Sequence, residues 1–342
     1  MKMKEISEVI NGKDITLYTW PDYMPFRPFL IHDKCRIFFI ANICHNYNWL
    51  KTCTNYIREN DYFVVESGWY VNRQFAELAD DIFSHLKLDK NKFILLCNDY
   101  KELKNYREYG FSNSILFNNN AWLDYNLYSI MNLNVLYRAI LIGRADPLKR
   151  LYLASKVDQL ALITGGFKCQ EEEVKLPPHI NKNDRRLTFQ EITEYINQSR
   201  CGLCLSAAEG ACYVSSEYLL CGVPVVSTVS LGGRDIWYDE ENCIICRDNE
   251  IAVKEAVELV IRKKINHTKI RNRHIELSIF FRDIFISKFQ EILNVQNIRD
   301  IDARRYINNN YINKMSYDAK EETVINMVKN RVYDTTQLMK RA

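Results

Sequence analysis

No apolar run in the chain reaches the roughly 18 to 20 residues that a membrane-crossing helix needs. The opening MKMKEISEVINGKD lacks the apolar core of a secretory signal. We therefore expect a cytoplasmic protein whose membrane contact, where it has any, is peripheral. No charge of one sign dominates: 46 lysines and arginines face 43 aspartates and glutamates, a net charge of +3. That balance excludes the basic footprint of a nucleic-acid binder. A G-x-G-x-x-G loop after a strand is missing, which removes the phosphate grip of a nicotinamide-dependent dehydrogenase. Aspartate-rich metal motifs are missing from strand ends as well. D-x-D occurs only as Asp300-Ile301-Asp302, in a helical stretch near the C-terminus.

At 342 residues the chain exceeds what one core usually serves, so two domains with a large cleft between them are expected. The eleven cysteines are odd in number and scattered through apolar runs in both halves, which fits reduced thiols. Cys201-x-x-Cys204 and Cys243-x-x-Cys246 have the outline of a zinc site. Each pair lies in a strand pattern, however, where positions i and i+3 point to opposite faces. Core packing is the preferred reading, and neither a metal nor another cofactor is expected.

Short apolar runs alternate with helical patterns, the signature of an α/β protein with parallel sheets. ITLYTW (15–20), CRIFFIAN (35–42), YFVVESG (62–68), KFILLCN (92–98) and SILFNNN (114–120) read as the strands of a first sheet. A second series follows in AILIG (139–143), LALITGG (160–166), CGLCLSA (201–207), VPVVSTV (223–229) and NCIICRD (242–248). Helical patterns KRLYLASKVDQ, FQEITEYINQS, SSEYLLC and EIAVKEAVELVIRKK lie between these strands. Two Rossmann-like domains are expected, over 1–132 and 133–264. A helical segment at 265–342, including the pattern at 320–341, is expected to pack on the body.

The stretch EGACYVSSEYLLCGVPVVST places Glu209 and Glu217 eight positions apart. Glu209 falls on the loop after a strand, beside Gly210, and Glu217 in the first turns of a helix that a serine is placed to cap. At the carboxyl ends of parallel strands, helix N-termini offer unpaired N–H groups to phosphate. Carboxylates there suit hydroxyl groups, so loop amides plus two acids describe a site for a nucleotide sugar. The plainer reading is a loop acid in solvent and a glutamate favourable to its helix dipole. Arg144 and Lys149 in GRADPLK, and the Gly232-Gly233 turn in SLGGRD, follow strands of the same series. Two cations there would neutralise a diphosphate leaving group.

The order GRADPLK, LALITGG, LCLSAAEGACYVSSEYLLCGVPVVSTVSLGGRD resembles the donor domain of glycosyltransferase family 4, retaining enzymes of the GT-B fold. The resemblance runs over about 135–262 and implies two Rossmann-like domains facing each other across a cleft. It implies that Glu217 holds the ribose hydroxyls, Glu209 faces the transferred sugar, and Arg144 with Lys149 stabilises the departing diphosphate. Gly210, Ala211, Cys212 and Tyr213 would line the sugar and phosphates, with Gly232 and Gly233 close by. The implied reaction is retaining and metal-independent, from a nucleotide diphosphate sugar to a glycan or lipid-linked saccharide. Two departures stand out: Cys212 replaces a glycine, and TWPDYMPFRP (19–28) replaces a glycine-rich loop in the first domain. The second motivates an alternative, a nucleotide-sugar binding protein without transferase activity.

In the first domain the resemblance points to a histidine that reaches the donor sugar, and His45 is the best placed; the alternative is a structural loop residue. Glu66 and Trp69, at a strand end, are acceptor-side candidates. Trp20, Trp49 and Trp122 are read as core. Asn118, Asn119 and Asn120 are either a polar loop before the interdomain linker or turn formers. Arg185, Arg186, Arg262, Lys263 and Lys264 would touch anionic lipid or simply lie in solvent.

Overall fold

The computed structural model describes residues 4–19, 27–164 and 174–310. Trp20, the glycines of LALITGG, most of TWPDYMPFRP and the helical pattern at 320–341 lie outside the described residues. The chain divides into two compact units: one takes the described residues within Met1–Asn119 and Phe281–Ala342, the other Asn120–Phe280.

The first unit opens on a hairpin of β1 (Lys4–Ile10) and β2 (Lys13–Thr19), antiparallel and joined by Asn11-Gly12. Both turn residues have positive φ, 51° and 76°. That is the backbone a two-residue hairpin needs to match strand twist, and Asn-Gly supplies it. ITLYT (15–19) therefore belongs to a separate two-stranded sheet, not to the main sheet expected for it.

The main sheet has the order β3 (Arg27–Ile31), β4 (Arg36–Ile40), β5 (Asp61–Glu66), β6 (Phe93–Cys97) and β7 (Ile115–Leu116). Pairing from β4 to β7 is parallel, and β3 runs antiparallel on the edge. RIFFI and FILLC are buried at every position, as strands covered on both faces must be. Helices α1 (Tyr47–Cys53), α2 (Arg73–Leu86) and α3 (Tyr100–Glu108) connect them. In α2, Asn72 caps the N-terminus by accepting from Phe75 N, and Ala76, Ala79, Ile82 and Phe83 form the buried stripe. Phe63, Phe83 and Phe93 meet at 4.5 Å ring separations in the core.

The second unit is a six-stranded parallel sheet made of β8 (Ala139–Ile142), β9 (Leu160–Ile163), β10 (Asn181–Lys182), β11 (Gly202–Cys204), β12 (Val225–Thr228) and β13 (Cys243–Cys246). Its order is β10-β9-β8-β11-β12-β13, so the winding direction reverses between β8 and β11. Helices α4 (Phe189–Asn197), α5 (Tyr213–Leu220) and α6 (Glu250–Arg262) lie between strands or follow them. Helix α7 (His267–Val295) belongs to the second unit through Phe280 and to the first from Phe281, and α8 (Ala303–Asn310) follows. In the first unit, Phe285 and Phe289 pack edge-on against Phe29 at 5.6 and 5.2 Å, and Tyr306 donates to Phe29 O at 2.7 Å.

One local expectation is corrected. KRLYLASKVDQ does not form an α-helix: 3-10 turns at Pro147–Lys149 and Leu151–Ala154 flank Arg150, which has φ 49°. The Arg150 guanidinium reaches Leu205 O (2.7 Å), Thr228 Oγ1 (2.9 Å) and Asp248, and these tertiary bonds outweigh the helical spacing. Asp302 of the D-x-D sequence accepts from Arg305 N at 2.6 Å, capping α8.

No described helix is long and apolar enough to cross a membrane. No group of three or more His, Cys, Asp or Glu among the described residues is placed to hold a metal ion. Cys201 and Cys204 border or end β11, Cys243 and Cys246 bound β13, and all four are free thiols.

Candidate functional site

In an open parallel sheet the ligand crevice lies beyond the carboxyl ends of the strands where the winding reverses. Here that point lies between β8 and β11. The loop after β8 carries Arg144 and Lys149, and the loop after β11 carries Glu209 and leads into α5.

The two loops meet in an ion pair. Lys149 Nζ is 2.5 Å from Glu209 Oε1, with Glu209 buried and the lysine a quarter exposed. Asp146 holds the lysine's turn by accepting from Leu148 N. Arg144 does not join this pair: it is more than half exposed and leans toward Asp146 at 3.6 Å.

Glu209 is fixed from its own side too. Ser206 Oγ donates to Glu209 Oε1 at 2.7 Å. The loop backbone is zipped to the loop after β12: Glu209 N donates to Leu231 O (2.9 Å), Leu231 N to Ala207 O (2.8 Å) and Gly233 N to Gly210 O (2.9 Å). Gly232 makes this possible with φ 97°, where a side chain would be strained. Beside it, the fully buried Arg234 donates to Ser206 O and Oγ and to Thr228 O.

Helix α5 starts at Tyr213, two residues before the serine expected to cap it. Its N-cap is Cys212, and no side chain caps it. The serines are spent elsewhere: Ser215 Oγ donates to Tyr238 Oη at 2.8 Å, and Ser216 Oγ accepts from Asn120 Nδ2 at 2.7 Å. Asn120 also donates to Cys212 O at 2.9 Å. The N-terminal end of α5 thus opens at the crevice without a side-chain acceptor, where the helix dipole favours an anion. Cys204 hydrogen-bonds Cys212, which lowers the Cys212 thiol, while burial raises that of Cys204. Gly210 and Cys212 are buried, Ala211 and Tyr213 half-buried.

Glu217 is buried one turn further on. Tyr128 Oη donates to its Oε1 at 3.0 Å; burial, then Glu217, raise the tyrosine's pKa. At the other end of β11, Gly202 has no room for a side chain: a Cβ would lie 2.1 Å from Tyr218 Cδ2.

In the first unit, His45 sits half-buried on a 3-10 turn after β4, its ring edge-on to Phe75 at 5.9 Å. Burial lowers its pKa, which favours the neutral ring. Glu66 ends β5, and Trp69 follows, half-buried. Trp49 and Trp122 are buried. Asn118 and Asn119 do more than form a turn. They bond Asn98 O (3.0 Å) and Ser67 O (3.1 Å), tying together the ends of β5, β6 and β7. Glu102 accepts from Asn98 N at 2.8 Å in the same cluster, and burial pushes its carboxyl up to about 8.

Sequence reasoning missed Ser206, Arg234, Tyr128 and Glu102. The first two lay inside motifs already singled out, CGLCLSA and SLGGRD, but a serine at a strand end and an arginine after Gly-Gly read as loop residues in solvent. Arg185, expected to meet lipid or water, pairs with Glu191, and Lys263 donates to Glu240 O at 2.8 Å.

No curated protein matches the chain in sequence. Solved structures share its fold. A glycosyltransferase from Rickettsia africae ESF-5 aligns with TM-score 0.55 and 14% identity, over 75% of this chain and 76% of that one. HepE of Anabaena in complex with UDP aligns with TM-score 0.53 and 13% identity, over 74% and 78%. Sucrose-phosphate synthase of Thermosynechococcus elongatus aligns with TM-score 0.51 and 13% identity, over 73% and 69%. The α/β architecture, with a Rossmann-like sheet in each unit, is that of the GT-B fold. Residues 149–276 match the model of the family described as glycosyl transferases group 1. That match corrects the assignment to glycosyltransferase family 4: two acids at this spacing before an apolar strand specify a loop and helix, not the finer family, and over this stretch the family matched is glycosyl transferases group 1.

Proposed function

We propose that the second unit binds a nucleotide diphosphate sugar and that the protein transfers the sugar to a glycan or lipid-linked saccharide. The observation that carries this reading is the Lys149–Glu209 pair at the switch point of the sheet, beside the uncapped N-terminus of α5. A cation and a helix N-terminus suit a diphosphate, and an adjacent carboxylate suits a sugar hydroxyl. Glu217 takes the ribose hydroxyls, with Tyr128 fixing one of its oxygens. Glu209 takes the sugar. Gly210, Ala211, Cys212, Tyr213, Gly232 and Gly233 line the donor.

As the bond to the anomeric carbon breaks, charge grows on the diphosphate. Lys149 and Arg144 stabilise it there, which makes a metal-independent reaction our reading. We include retention of configuration. In this reading the acceptor attacks from the face that the diphosphate leaves, where Lys149 and Arg144 stabilise the developing charge. His45 is the first-unit candidate for contact with the donor sugar, and Glu66 and Trp69 are the acceptor-side candidates. UDP-sugars are the first donors to test, since HepE of Anabaena was solved with UDP. Incubation with UDP-glucose, with and without EDTA, and NMR of the product anomer test the reading. EDTA-insensitive formation of an α-linked product supports it; strict metal dependence or a β-linked product contradicts it.

A further inference from the structure

The hydrogen bonds that fix Glu209 begin at a buried arginine. Arg234 has no exposed side-chain surface, and its fork is directed mainly at uncharged acceptors. One nitrogen donates to Ser206 O at 3.1 Å and Ser206 Oγ at 3.2 Å, the other to Thr228 O at 2.5 Å. Its carboxylate neighbour Asp235 meets Nε at 3.3 Å. A guanidinium buried this way is costly, and what it supplies is a fixed span between the ends of β11 and β12.

The consequence reaches Glu209. A serine hydroxyl has one hydrogen, and with Arg234 donating to its oxygen, Ser206 gives that hydrogen to Glu209 Oε1. Lys149 bonds the same oxygen. Among the described residues Glu209 Oε2 has no partner. The carboxylate is therefore held with one oxygen satisfied twice and the other open.

We propose that Arg234 and Ser206 are positioning residues that turn Glu209 so that Oε2 alone is offered to a hydroxyl of the transferred sugar. This rests on the donor-site reading above. Neither residue touches the donor; each acts through Glu209.

The test is the affinity of the full chain for UDP-, GDP- and ADP-glucose against the free diphosphates, measured by calorimetry for wild type, Ser206→Ala, Ser206→Thr, Arg234→Lys and Arg234→Met. Losing a hydrogen bond to a charged group costs about tenfold or more in affinity. Wild type should prefer the sugar nucleotide. Ser206→Ala should lose about tenfold of that preference and leave diphosphate affinity within about twofold. Ser206→Thr keeps the hydroxyl and should restore it, whereas one ammonium cannot span both acceptors, so Arg234→Lys should not. Melting temperatures identify an Arg234 variant that has merely unfolded, and Ser206→Ala carries the test in that event. Equal losses for diphosphate and sugar nucleotide, or a preference unchanged in Ser206→Ala, would overturn the inference alone. A wild type that binds none of the six ligands would overturn the donor-site reading, and the inference with it.

Discussion

Lys149 Nζ and Glu209 Oε1, 60 residues apart in sequence, lie 2.5 Å from each other and join the loops that follow β8 and β11. These are the two groups proposed to serve the leaving diphosphate and the moving sugar. Each is the other's counter-ion, and a donor bound here would share or replace this bond.

The pair should therefore be coupled. In a double-mutant cycle of Lys149→Met and Glu209→Gln, denaturant unfolding should give a coupling energy of about 0.5 to 3 kcal/mol, the range for residues in contact. Lys149→Met should also lower turnover by about 100-fold, as loss of a group that stabilises transition-state charge does. Additive stability effects would place the two side chains apart in solution.

Glu217 and Glu209 should fail differently. Glu217→Ala should weaken nucleotide binding by about tenfold, the loss of hydrogen bonds to a charged acceptor, while Glu209→Ala should cost turnover more than nucleotide affinity. Tyr128→Phe should follow Glu217→Ala in direction with a smaller loss. Steady-state kinetics and calorimetry on the same variants separate these patterns. Equal, small effects of both glutamate changes on turnover would sink the assignment.

Glu102 predicts a pH dependence of stability. Burial raises its carboxyl from 4.5 to about 8 in the folded protein. Between these values the native state holds a proton that the unfolded chain has released, so this group's contribution is full below pH 4.5 and is lost as pH rises toward 8. The slope reaches at most about 1.4 kcal/mol per pH unit. Urea unfolding of Glu102→Gln should show a flatter profile between pH 5 and 8 than wild type; identical slopes would mean that the carboxyl titrates normally.

Gly202→Ala should destabilise the second unit. The added Cβ would meet the fully buried Tyr218 ring, whose Oη accepts from Ile142 N at 3.0 Å. Overpacking of this kind costs about 1 to 3 kcal/mol, and a fall of several degrees in melting temperature would register it.

Much of the fold was legible because parallel strands buried on both faces read as unbroken apolar runs: RIFFI, FILLC, LALI and VPVV. The hairpin at the start was legible too, through Asn11-Gly12, but ITLYTW was read for its own pattern and not with its turn. Residues 147–154 were not legible, since Arg150 owes its left-handed backbone to Leu205 and Thr228, far away in sequence. The site shows the same division. The spacing from Glu209 to Glu217 marked the loop and helix, and GRADPLK marked the opposite loop. Which of Arg144 and Lys149 reaches the acid depended on the fold of a turn. Arg234 was hidden because a charge after two glycines reads as exposed. The family was read too finely, since the motif is no more specific than the loop and helix it builds.

A nucleotide-sugar site on the second unit stands or falls on donor binding. A thermal-shift and calorimetry screen of UDP-, GDP-, ADP- and CMP-sugars should find one nucleotide that binds saturably to wild type and raises its melting temperature. A ligand at about 100 times its Kd stabilises by about 2.7 kcal/mol. The same ligand should bind Glu217→Ala at least tenfold more weakly. No binding by any of these donors, or binding unchanged in Glu217→Ala, would rule that site out.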